Sequence, residues 1–130
     1  MVYSGWPLGR VLLLAVSAMY LVIFLQVTMF HYRQNFRSAA MWSPVVEAPL
    51  IALVAAAAAF VNSAVLLQVT GILLIIGVVS GLGGFYYHVR GVGERVGGYR
   101  MNNFLIGPPV MLPLTISAVS ALGLFALYWR

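Results

Sequence analysis

From Ala48 to Tyr87 the chain runs for 40 residues without one charged side chain. Built as a single α-helix at about 1.5 Å per residue, this run reaches about 60 Å, twice the roughly 30 Å hydrocarbon core of a bilayer. It must therefore fold back on itself, and a tight turn makes its two halves antiparallel neighbours. Polar residues interrupt it at Gln68-Val69-Thr70-Gly71, near the middle, and at Asn62-Ser63. The more central group is the expected turn, giving spans of roughly 45–67 and 72–89.

Two further runs have the same character. Val11 to Phe30 is uncharged and rich in Leu, Val, Ile and Phe, with Trp6, Pro7 and Tyr32 placed for the two interfaces. It predicts a span of about 8–31, which reads as a retained helix and not a cleaved signal peptide, because no small-residue cleavage site follows it. The last span covers about 104–129 and is entered through Gly107-Pro108-Pro109. Pro113 lies deeper and is expected to kink that helix. Tyr128, Trp129 and Arg130 close it as an interfacial anchor. The predicted fold is thus all-α: one polytopic membrane domain over residues 1–130, a four-transmembrane-helix up-down bundle.

Composition gives the same answer independently. Hydrophobic residues make up 63% of the chain, charged ones 7%, and the mean hydropathy is +1.02. Soluble domains carry about 25% charged residues, and a chain this short has no core large enough to hide so much apolar surface. The charges are seven basic residues, all Arg, against Glu47 and Glu94, a net of +5. The Arg residues border apolar runs instead of forming a stripe among polar residues. Anionic lipid head groups are therefore the expected partners, and nucleic acid is not. With no Cys, disulfides, thiolate metal sites and cysteine nucleophiles are excluded.

Four spans place both termini on one side. Arg33 and Arg37 follow the first span, and Arg90, Arg95 and Arg100 lie between the third and fourth. Only Arg10 and Arg130 fall on the other side. The excess of basic residues predicts that loops 32–44 and 90–103 are cytoplasmic and both termini outside, in a bacterial inner membrane.

The same alternation brings the ionisable groups together. His31 ends the first span, His88 ends the third, and Glu47 begins the second, so all three share one membrane face with five Arg. One reading is a b-type haem with His31 and His88 as axial ligands. Diagonal helices of a bundle lie about 11–14 Å apart when neighbours pack at 8–10 Å, and bundle cores commonly house such cofactors. Arg33, Arg37 or Arg90 would then contact the propionates or a lipid phosphate. A variant is a metal site of His31, Glu47 and His88. The plainer reading is that both His residues sit at helix C-termini, where the dipole and the interface suit them. Glu47, similarly, suits a helix N-terminus that Ser43 caps and Pro44 opens.

Gly91-Val92-Gly93-Glu94-Arg95-Val96-Gly97-Gly98 has the look of a phosphate loop, but Val96 stands where the dinucleotide pattern needs Gly. It is expected to be a flexible loop whose amides, with Arg95 and Arg100, contact an anion or lipid head group. Gly77, Ser80, Gly81 and Gly84 form small-xxx-small steps suited to close helix packing, and Gly83 lies among them. No carboxylate pair or nucleophile–base set is present, so no enzyme activity is expected. The leading expectation is an accessory or scaffolding subunit of a larger membrane complex, packed against other transmembrane subunits or its own copies. A membrane electron-transfer cytochrome using His31 and His88 is the alternative, and a small transporter or channel protomer the third.

Overall fold

The computed structural model describes residues 3–129; Arg130, expected in the terminal anchor, lies outside them. The described residues are all-helical, with no strand. The elements are α1 (Leu8–Arg33), a 3-10 turn (Ala39–Met41), α2 (Trp42–Phe60), α3 (Ala64–Arg95), α4 (Met101–Ile106) and α5 (Met111–Tyr128). Four helical segments are long and apolar enough to cross a membrane: α1, α2 with its preceding 3-10 turn, α3 and α5. Large apolar side chains cover the outside as well as the core, among them Val22, Leu53, Ile72 and Val79. Such a surface suits lipid as its solvent.

The turn in the long uncharged run falls at residues 61–63, not at 68–71. Ser63 caps α3 by accepting from the Leu66 amide, which satisfies an otherwise orphaned donor. The polar residues expected to form the turn lie inside α3. Thr70 Oγ1 donates to the Leu66 carbonyl at 2.7 Å, so its hydroxyl is satisfied within its own helix. As a result α2 is 19 residues long and α3 is 32. At about 1.5 Å per residue α3 extends for about 48 Å, well beyond a bilayer core.

Three other expectations change. Ser43 is not a cap: α2 starts two residues before Pro44, at Trp42, behind Met41, which makes no side-chain cap bond. The glycine-rich segment is helical as far as Arg95, and only Gly97 and Gly98, at φ of 92° and 114°, form the turn that leaves it. The amides of residues 91–95 therefore belong to a helix and are not free for an anion. Pro113 falls in the first turn of α5, where a missing N–H is cheap, and the real break is the segment 107–110 before it.

The helices pack in the ring order α2–α1–α5–α3, with α3 closing back on α2. Hence α1 lies diagonal to α3. Each of the four interfaces carries at least one polar stitch. Ser17 donates to the Ala52 carbonyl between α1 and α2, and Ser117 donates to the Val78 carbonyl between α5 and α3. The Tyr20 and Ser120 hydroxyls bond to each other between α1 and α5, and Ser80 donates to Glu47 Oε1 between α3 and α2. Interhelical bonds of this kind are worth about 0.6–2 kcal/mol each in a membrane setting. Their larger effect is to fix register among helices that are otherwise uniformly apolar. The α3–α5 interface is the most extensive, because Gly77, Gly81 and Gly84 let Ser120, Ser117 and Pro113 approach closely. The α2–α3 interface is the least extensive of the four.

Candidate functional site

The end of α1 is held firmly. Phe36 N–H bonds back to the His31 carbonyl and Asn35 N–H to the Tyr32 carbonyl, a Schellman arrangement. Asn35 and Phe36 adopt positive φ, of 54° and 46°. For a bulky residue such as Phe36 that backbone is costly. Its ring stacks on Trp42 at 4.1 Å and meets His31 edge-on at 6.3 Å, which helps to hold it there. His31 is thereby fixed between the close of α1 and the opening of α2.

His88 is oriented from another direction. Its Nδ1 lies 2.8 Å from the Pro109 carbonyl, which can only accept, so Nδ1 carries the proton. The Gly107-Pro108-Pro109 break before α5 supplies that carbonyl. In a neutral ring the Nε2 lone pair is then free, and no protein group bonds to it among the described residues. His31 Nδ1 is buried and makes no hydrogen bond.

Both rings line one cavity of about 460 Å³. Val27, Leu112, Pro113 and Ile116 give it an apolar floor; Gln34, Ser38, Arg90, Glu94 and Arg95 form its polar rim. All four long helices contribute to its walls, and the sparse α2–α3 contact leaves it space. Gly83 is part of the wall. A Cβ there would meet nothing within 4 Å, whereas at Gly77, Gly81 and Gly84 it would strike a neighbouring helix.

Beside the cavity is an open basic groove lined by Arg33, Arg37 and Arg95, with no acidic residue in its wall. Phe30, Gln34, Arg95, Pro108 and Pro109 belong to both, so the two adjoin. Arg37 donates to Gln34 Oε1 at 2.6 Å. Arg90 is paired with Glu94 at 2.6 Å on the exposed face of α3, which occupies its charge. Arg100 precedes α4 and lines neither space.

The sequence reading placed His31, His88, Arg33, Arg37, Arg90 and Arg95 at one end of the bundle, and the structure gathers them around these two adjoining spaces. It does not bring Glu47 into the wall. The Glu47 carboxylate is turned toward Ser80, at 2.9 Å, and no group of three His, Asp or Glu forms a metal-binding set among the described residues. The sequence reading missed two features. Gly83 was grouped with the packing glycines, although its spacing falls outside both small-xxx-small steps. The Pro109 carbonyl could have been suspected, since a Pro-Pro break is where a backbone acceptor escapes its helix.

No protein-family model, curated protein or solved structure matches this chain.

Proposed function

We propose that the protein is a membrane-embedded subunit that holds an amphipathic small molecule at its arginine-rich end and serves a larger membrane complex. The observation that carries this reading is the 460 Å³ cavity walled by all four long helices. Its volume lies within the range of about 300–1,000 Å³ typical of small-molecule sites. An apolar floor, a polar rim and an adjoining basic groove suit a ligand with an apolar body and an anionic end. Few of the described residues lie outside the helices, which suits an effect of binding that passes to another membrane protein. In this reading the arginine-rich end faces the cytoplasm, in keeping with the positive-inside rule. Arg10, one of the two basic residues expected at the other end, is taken up in backbone hydrogen bonds.

The test compares wild type with Gly83→Leu, purified in mild detergent, extracted with organic solvent and analysed by mass spectrometry. Wild type should retain a small molecule in stoichiometric amount, and Gly83→Leu, which fills the cavity from a wall with open space beside it, should lose it. Equal retention by both proteins, or none by either, would overturn the proposal.

A further inference from the structure

The cavity leaves three things unused by the protein itself: the Nε2 atom of His88, the ring of His31, whose buried Nδ1 has no partner, and the open space at Gly83. A lipid tail gives the first two nothing to do. A metal centre does. Metal-binding imidazoles commonly donate their second ring nitrogen to a backbone carbonyl, which locks the tautomer and aims the lone pair. His88 already does this with Pro109, whereas the buried Nδ1 of His31 makes no hydrogen bond.

Two imidazoles alone are too few for a bare ion, since protein sites for transition metals use about four to six ligands. No third His, Asp or Glu joins them among the described residues, and the chain has no Cys. A metal that arrives inside a planar tetradentate ring needs only the two axial positions. The ring order of the helices places α1 and α3 on a diagonal, about 11–14 Å apart. Two histidine side chains with one metal ion between them span a gap of that size. The ring would lie in the cavity of about 460 Å³, against the open wall at Gly83. Carboxylates on its edge would reach the groove of Arg33, Arg37 and Arg95, where guanidinium groups bind such anions well.

Building on the ligand-holding reading above, we propose that the cavity binds a b-type haem with His31 and His88 as its axial ligands. Haem held in this way is coordinated by protein side chains alone, with no covalent attachment to the ring.

The test is titration of the purified apoprotein in detergent with hemin. The expected result is a Soret shift that saturates at one equivalent and, after reduction with dithionite, the sharp visible bands of a six-coordinate bis-imidazole haem. His31→Ala and His88→Ala should each remove the six-coordinate spectrum. Gly83→Leu should weaken binding at least tenfold while helix content and elution volume stay at wild-type values, which separates lost binding from lost folding. A triple Arg33→Gln, Arg37→Gln, Arg95→Gln variant should bind more weakly yet keep the wild-type spectrum. The haem assignment is overturned by the absence of a saturable shift, or by a shift that survives both His substitutions and Gly83→Leu. If hemin fails while Gly83→Leu still loses a lipid or quinone carried by wild type, only the haem assignment falls. If hemin fails and nothing is carried, the ligand-holding reading falls with it.

Discussion

Where α1 begins and α5 finishes, Gly9 packs against the carbonyls of Ala126 and Trp129, and Arg10 bonds to the carbonyls of Ala59, Phe60 and Gly5. Its guanidinium also lies over the Trp6 ring, 4.1 Å from the centroid. At the arginine-rich end Gly83 faces open space, and a pair of imidazoles lines a cavity. One end spends its glycine and its arginine on closure; the other leaves comparable residues idle. In a bundle with so few polar groups, that contrast separates what holds the protein together from what the protein has left to offer.

The sharpest way to break the contrast is to add bulk at a glycine of each end. Gly9→Leu should be severe, because its Cβ would meet backbone carbonyls that cannot move aside. Overpacking typically costs about 1–3 kcal/mol, and an immovable neighbour puts the cost at the top of that range. With both proteins stripped of bound ligand, Gly83→Leu should leave thermal unfolding in detergent close to wild type. Equal melting losses for the two variants would erase the distinction between the ends.

Arg10→Ala comes next. It removes charge-assisted bonds to the C-terminal carbonyls of α2, at about 1.5–3 kcal/mol for hydrogen bonds to a charged group, lowered here by partial exposure. Arg10→Lys should recover only part of the loss, since a single ammonium lacks the guanidinium fork. Thermal melts followed by circular dichroism would rank the three proteins.

Ser63→Ala should cost about 1 kcal/mol, the usual value of an N-cap. Gln68→Ala, a change within the alternative turn, should cost much less. The reverse order in the same assay would return the turn to residues 68–71. The smallest effect belongs to the arginine-rich end. Glu94→Gln breaks the exposed Arg90–Glu94 pair and should not move the melting temperature measurably.

The long apolar runs were legible because hydropathy and length constrain a spanning helix so strongly. The turn was misplaced for a physical reason. Gln68, Thr70 and Gly71 look polar and flexible in sequence, but Thr70 is satisfied by the helix itself, and Gly71 sits in contact with Leu127. Only Ser63 does something a turn requires. The shared end of His31 and His88 followed from counting spans. Whether Glu47 joined them did not, since which way a side chain points around its helix depends on the α2–α3 packing. Tyr20, Ser17, Ser117 and Ser120 gave no warning of their role, because isolated hydroxyls in apolar runs usually bond within their own helix.

The partners of Arg10 have a consequence for biogenesis. Ala59 and Phe60 lie 49 and 50 residues farther along the chain. At about 5–20 residues per second, a ribosome needs about 3–10 s to make that stretch. The first helix is complete once Arg33 is made, and from then until Ala59 its arginine has only nearby groups such as the Gly5 carbonyl and the Trp6 ring, with water and lipid phosphates, as partners. Only when the second helix has crossed back does the charge find the Ala59 and Phe60 carbonyls to hold it. The clamp therefore reports that a hairpin has been delivered whole, and a chain stalled before Ala59 is left with an uncommitted cation at the membrane surface.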